Sequence, residues 1–264
     1  MYLRSVHAEN DISVLHQLIR DHPLGVFTTA IKSPLYPLLQ SSHIPFILDV
    51  PDTPSPDGDN STPLGTLRGH MARQNPQAKA LMDALALEHE RSGSSGAEEL
   101  SDEVLVLFTA AEQHYVTPKF YTETKPASGK VVPTWNYAAA QVYGKVRVYC
   151  DSRGEETGRY LQGAIEDLTD MCEGGIMGHG KEGCPAWKVS DAPEKYVEIL
   201  KRNIIGVEIR IERLEGKFKM SQEMGVGDRE GVVCGFERLG TDVAKGVSRV
   251  VKERGEMKDK ARCS

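Results

Sequence analysis

Three stretches of this 264-residue chain set reactive or polar side chains where half-buried strands ordinarily carry Val or Thr. They are "SSHIPF" (Ser41–Phe46), "LRGHMARQNP" (Leu67–Pro76) and "VVPTWNY" (Val131–Tyr137). A buried polar group without a partner costs roughly 1–3 kcal/mol, and a bound polar molecule would supply partners for Ser42, His43, Arg68, His70 and Thr134. Arg68, Arg73 and Lys219 are suited to a phosphate, which takes charge-assisted hydrogen bonds from such donors. Asn136, Gln222 and the backbone around His43–Pro45 are suited to the hydrogen-bonding edge of a ring, and Trp135 and Ile44 to its faces. The chemistry open to this set is to grip a flat, phosphorylated guest and orient it. No nucleophile–base pair stands out, so any redox chemistry would be the guest's own. Taken singly, Trp135 also suits a core, His43 and His70 suit satisfied structural positions, and Arg73 suits the opening of a helix.

The elements around these stretches read mainly as strands. "LGVFTTA" (Leu24–Ala30), "LYPLLQSSHIPFILD" (Leu35–Asp49), "LGTLRGHM" (Leu64–Met71), the start of Val104–Tyr121 and "QVYGKVRVY" (Gln141–Tyr149) are short apolar or alternating runs bounded by turn residues. "IIGVEIRIERLEGKFKM" reads as a strand pair turning near Glu215–Gly216. Helices are predicted over "NDISVLHQLIRDHP", capped by Asn10 or Asp11, and after Pro76. Others are predicted from about Thr157 to Cys172, over "SDAPEKYVEILKRN" with Ser190 or Asp191 as cap, and in the charged tail. Val50–Pro63, "RSGSSGAEELSDE" and Met171–Trp187 read as loops or linkers. Strands do not alternate regularly with helices, which argues against a doubly wound parallel sheet. The expectation is a mainly β, predominantly antiparallel barrel with peripheral helices, in one domain over 1–264. Its barrel core would occupy about 20–150 and 203–222, with a helical segment over about 153–202 and a C-terminal helix over about 238–256.

Charge and hydropathy exclude several classes. The net charge of −6, with a sequence pI near 5.8, argues against a broad nucleic-acid face, and there is no helix-turn-helix pattern. No apolar run approaches the roughly 20 residues of a membrane span. The N-terminal segment lacks a secretory pattern, and five scattered cysteines suggest reduced thiols, hence a cytoplasmic setting.

The same stretches, with "HYVTPKFY", "GKVVPTWNY", "VYGKVRVY", "WKVSDAP" and "IIGVEIRIERLEGKFKMSQ", resemble the PaiB family of FMN-binding proteins, often labelled negative transcriptional regulators. That family falls in the FMN-binding split-barrel class, alongside pyridoxamine-phosphate oxidase-like flavoproteins. The resemblance runs from about residue 20 to 222. It implies a split β-barrel and a homodimer with FMN at the subunit interface, a symmetric arrangement common among oligomers. Carried over by position, Ser42, His43 and Ile44 would run beneath the flavin. Arg68, Gly69, His70 and Arg73 would approach its phosphate, Thr134, Trp135 and Asn136 would line the ring, and Lys219 with Gln222 would close the site from the partner subunit. The implied activity is that of a flavin-dependent oxidoreductase or flavin reductase, acting on a small molecule or a visiting nicotinamide; no Gly-x-Gly-x-x-Gly fingerprint follows a strand. The alternatives are a regulator or sensor that holds flavin without turnover, and a haem-binding relative using His43, His70, His114 or His179.

Two departures from the family pattern stand out. The family commonly continues as Ser-Gln-Asn-Arg, whereas this chain reads "SQEMG" from Ser221, so an acid and a thioether replace an amide and a cation. The Val50–Pro63 and Met171–Trp187 loops also look expanded. Cys172, His179 and Cys184 in the second loop lack zinc spacing and a fourth ligand, so no metal is expected there.

Overall fold

The computed structural model describes residues 1–51, 63–92 and 99–263. Most of the Val50–Pro63 loop, and the glycine–serine part of the 91–103 linker, therefore lie outside the described residues. The strands are β1 (Ala8–Glu9), β2 (Leu24–Ala30), β3 (Leu39–Pro45), β4 (Ile47–Asp49), β5 (Thr66–Ala72), β6 (Glu99–Thr109), β7 (His114–Val116), β8 (Thr134–Tyr149) and β9 (Ile204–Lys219). The helices are α1 (Ile12–Asp21), α2 (Pro76–Ser92), α3 (Thr124–Ser128), α4 (Glu155–Asp170), α5 (Glu194–Lys201), α6 (Val226–Leu239) and α7 (Asp242–Cys263). The expected antiparallel sheet with peripheral helices is what the chain forms. The chain divides into two compact units, one of residues 23–107 and 142–214, the other of 1–22, 108–141 and 215–264.

The first unit, residues 23–107 and 142–214, carries the ladder order β3-β2-β6-β8-β9-β5-β4. β2 pairs antiparallel with β3 (Phe27↔Ser42) and with β6 (Phe27↔Val106), while β5 pairs with β4 (Arg68↔Ile47) and β9 (His70↔Gly206). Among the described residues the ladder does not close on itself. Its two ends, β3 and β4, are consecutive in the chain and separated only by Phe46. Period-two alternation sorts β5: Leu67, Gly69 and Met71 are buried, whereas Arg68 and His70 point to the opposite face. That face carries α4. The Tyr160 hydroxyl donates to the Val207 carbonyl at 2.7 Å, and its ring occupies the space above Gly206, where a Cβ would come within 2.4 Å of it.

The second unit, residues 1–22, 108–141 and 215–264, is built on α1, α6 and α7 with β1, β7 and the adjoining ends of β8 and β9. β9 is one 16-residue strand, not the expected strand pair. Gly216 marks no turn; a Cβ there would lie 2.0 Å from Leu15, so the glycine makes room for the buried face of α1. α6 has no counterpart in the sequence reading; its three glycines weaken its helical pattern. Those glycines form a close-approach face: a Cβ on Gly231 would meet the Phe120 carbonyl at 2.1 Å, and one on Gly235 the Phe120 ring at 2.5 Å.

Other boundaries shift as well. β6 begins at Glu99, inside the stretch read as linker, and α5 starts after Pro193, with Ser190 and Asp191 in a separate 3-10 turn. The Met171–Trp187 loop opens with a π-helical turn over Met171–Ile176 that extends α4. Asp11 is the cap of α1, its carboxylate accepting from the Ser13 N–H at 2.8 Å. Asp11→Ala is expected to destabilise the protein by about 1 kcal/mol, and Asp11→Ser to restore most of it, as measured by urea unfolding.

Candidate functional site

The twelve candidate residues fall into two groups. Ser42, His43, Ile44, Arg68, Gly69, His70 and Arg73 belong to the first unit, and Thr134, Trp135, Asn136, Lys219 and Gln222 to the second.

In the first unit the arginines already have partners. Arg68 donates through Nε and Nη2 to the two carboxylate oxygens of Asp49 (Nη2–Oδ1 3.0 Å), and its Nη2 lies 2.8 Å from Asp167 on α4. The hydrogen bond to Asp49 is the main reason its pKa is raised above the ordinary arginine value, against the opposing effect of burial. Two carboxylates around one guanidinium leave a local excess of negative charge, which disfavours a phosphate. Arg73 donates to the carbonyls of Cys150 (2.7 Å) and Arg202 (3.2 Å), so it ties strand ends together. Asn75 in the same motif donates to Ser42 Oγ at 2.9 Å and accepts from the Gln77 N–H, while the buried Gln77 amide reaches the carbonyls of Phe27 and Gln40. "ARQNPQ" thus fastens α2 to β2 and β3. Ile44 is core, Gly69 packs on Ile44 and Phe46, and His43 is exposed. His70 is partly buried, and its Nδ1 has no hydrogen-bond partner.

The second unit presents a different arrangement. β7 runs antiparallel to the start of β8, pairing Tyr115 with Trp135 and His114 with Asn136. Alternation along β8 turns Asn136 inward and Trp135 outward. Asn136 is fully buried and exchanges hydrogen bonds of 3.0 and 3.1 Å with Ser221 Oγ. Ser221 holds a φ of 57°, a left-handed backbone that β-carbon residues adopt at a cost. Gln222 folds back on its own turn, accepting from the Met220 N–H at 2.7 Å and donating to the Phe218 carbonyl. Trp135 is 50% exposed, with the half-exposed Tyr115 ring edge-on to it at 6.4 Å.

Lys219 stands beside this aromatic pair. Its ammonium donates to Thr134 Oγ1 and, at 3.0 Å, to the Trp135 carbonyl. An ammonium has three donors, so one remains after these two contacts. Burial lowers the Lys219 pKa below the usual lysine value, with Lys217 and Arg4 acting in the same direction and Glu223 opposing them.

The structure adds residues that the sequence reading did not assign to the site. Glu223, the acid in the departing motif, pairs with buried His7 at 3.0 Å. Burial would raise the Glu223 pKa, but the His7 contact and neighbouring charges outweigh it and hold the carboxyl below its ordinary value. Nothing in sequence spacing links His7 to Glu223; the pairing of β1 with β9 (Ala8↔Lys217) brings them together. In the Met171–Trp187 loop, His179 Nδ1 contacts Glu173 at 2.7 Å. Among the described residues no group of three or more His, Cys, Asp or Glu is placed to hold a metal ion.

The family model described as "Putative FMN-binding domain" matches residues 1–213 of this chain. An uncharacterized protein of Aspergillus fumigatus is 64% identical over 261 residues, spanning 98% of this chain and all of that protein. The Bacillus subtilis protease synthase and sporulation protein PAI 2 is 24% identical over 189 residues, covering 71% of this chain and 72% of its own. Among solved structures, the flavocytochrome Anf3 of Azotobacter vinelandii aligns over 80% of this chain and 69% of its own, at 11% identity and a TM-score of 0.43.

Proposed function

We infer that this chain, which belongs to the FMN-binding domain family, holds FMN and uses it as a flavin-dependent oxidoreductase or flavin reductase on a small molecule. The observation that carries the reading is the Trp135–Lys219 corner, where a half-exposed indole stands beside an ammonium with a donor to spare. A flat ring takes aromatic cover and a phosphate takes a charge-assisted hydrogen bond, so these two residues fit a phosphorylated flavin. Arg68 and Arg73 fit it less well, since Arg68 already faces the carboxylates of Asp49 and Asp167 and Arg73 is turned onto main-chain carbonyls. In this reading Lys219 is the phosphate ligand, Trp135 with Tyr115 covers the ring, and the Asn136–Ser221 pair holds β8 against the turn that follows Lys219. Bound FMN would supply hydride and electron transfer; the protein supplies orientation and cover.

The homodimer belongs to the same proposal. Leu39 at the start of β3, with Leu35 and Leu38 just before it in sequence, is more than half exposed, an apolar stretch suited to a second copy. Family membership favours FMN over haem. Among the described residues no helix is long and apolar enough to cross a membrane.

The deciding experiment is absorbance and mass analysis of the chromophore that purifies with the protein, followed by reduction with a nicotinamide. FMN that is reduced and reoxidised with turnover supports the enzyme, FMN that stays inert supports a sensor that only holds it, and a colourless protein that rebinds no FMN overturns the reading. Trp135→Ala is expected to weaken FMN binding about tenfold with the unfolding transition unchanged, on the scale of lost aromatic stacking. A fluorescence titration with equal affinities would move the ring site elsewhere.

A further inference from the structure

α5 is a two-turn helix with its apolar side chains turned outward. None of its eight residues is buried, no side chain caps its first turn, and Tyr196, Ile199 and Leu200 are each about half exposed. A helix this short is marginal in water unless an apolar face packs against a neighbour. Three more large apolar side chains extend the face. Trp187 lines the same groove between α4 and α5 as Tyr196 and Leu200, and its N–H donates to Glu173 at 3.2 Å, which ties it to the π-helical turn that ends at Ile176 and Met177.

These six side chains are each 46% to 62% exposed. At roughly 100 Å² for a half-exposed large side chain, they present on the order of 600 Å² of apolar surface, the upper end of what a monomer shows. With a polar rim, that approaches the ~800 Å² per partner of a standard protein interface. The rim is sorted by charge. Glu166 and Asp170 are exposed on the α4 side, and Lys188, Lys195 and Arg202 are exposed on the α5 side. The nearby ion pairs join Asp167 to Arg68 and Glu198 to Lys201, and leave these five charges without an ionic partner among the described residues. Glu194 lies in the first turn of α5, so the α5 side stays net positive.

We propose that this face docks on the same face of a second copy across a twofold axis, as a contact separate from the Leu39 stretch. The axis lays the α4 side of one copy on the α5 side of the other, so acids meet bases twice over. The groove between α4 and α5, about 550 Å³ in volume, gives side chains of the second copy a place to enter. An anionic membrane surface fits less well, because it would meet Glu166 and Asp170 as like charges. The face is built within one unit and uses none of the groups assigned to the flavin.

The test is sedimentation velocity of the full-length protein, saturated with FMN, over a concentration series. Two separate contacts should give a tetramer. Ile199→Asp is expected to leave a dimer, weakening association at this face by about 30-fold or more, the scale of a lost interface anchor. If the wild type is a dimer, its splitting by Ile199→Asp and not by Leu39→Asp supports this face and fails the Leu39 contact. Lys195→Glu with Arg202→Glu makes the rim acidic, and Glu166→Lys with Asp170→Lys makes it basic. Each of these proteins should associate weakly alone, and the equimolar mixture should recover. Thermal unfolding checks every variant, and Met177→Asp takes the place of Ile199→Asp if the latter does not fold. A monomeric wild type overturns the proposal, as does a mass that a folded Ile199→Asp or Met177→Asp protein leaves unchanged, or a mixture that does not recover. Cosedimentation of a wild-type monomer with phosphatidylserine vesicles, lost in Ile199→Asp, would give the face to a membrane and also overturn it.

Discussion

Lys219→Met is expected to weaken FMN binding by about 10- to 150-fold, the scale of one hydrogen bond to a charged group, while riboflavin affinity stays within about twofold because riboflavin has no phosphate. The prediction rests on the donor left over after Thr134 and the Trp135 carbonyl take two. It also carries a sign with pH. Burial lowers the lysine pKa, so the ammonium is lost as pH rises through a value below that of an ordinary lysine. FMN affinity should therefore fall on the alkaline side, earlier than an ordinary lysine would dictate. Lys219→Arg should keep its FMN affinity to higher pH, because a guanidinium stays charged. The measurement is flavin fluorescence titration from pH 7 to 10 with both ligands. Equal losses for FMN and riboflavin would remove Lys219 from the phosphate.

Asp228→Ala should destabilise the protein by about 3 kcal/mol at pH 7, and Asp228→Asn by less, since burying donors without an acceptor costs ~1–3 kcal/mol each. Asp228 is buried in the first turn of α6, and its carboxylate accepts from the Glu123 N–H at 2.8 Å, the Thr124 N–H at 3.2 Å and the Thr124 hydroxyl. Burial alone would raise its pKa, yet these donors outweigh burial and lower it. A carboxyl whose folded value is lowered adds stability that is complete above its unfolded value, near 3.9, and is lost as pH falls through the folded value. The gap between wild type and Asp228→Asn should therefore be constant above about pH 5 and shrink below about pH 4. Urea unfolding across pH 3 to 7 measures it; a gap that does not change with pH would mean that the charge contributes nothing.

Asp228 also shows where sequence reading ends. Its partners lie over a hundred residues away, at Glu123 and Thr124, and no local pattern announces the contact. The same holds for Arg68 and Arg73. Their type and neighbourhood marked them as anion ligands, whereas the fold brings Asp49 and Asp167 to one and main-chain carbonyls to the other. Main-chain acceptors have no letter in a sequence. Lys219 and Trp135 kept the exposure that ligands need, and Asn136, chosen for its amide, is buried against Ser221.

Local patterns determined much of this protein. Alternation with turn boundaries placed β2 at Leu24–Ala30, and a capping side chain followed by a 3.6-residue apolar repeat placed α1 behind Asp11. These forces act between residues close in the chain, so the chain spells them out. Tertiary structure decided what glycine was for and which charges stayed free. Gly216 reads as a turn until Leu15 fills the space its missing side chain leaves, and Gly231 and Gly235 of α6 show their use only where Phe120 packs on them. Close packing and long-range pairing depend on which distant segments share a volume, and that is set only when the sheet has assembled.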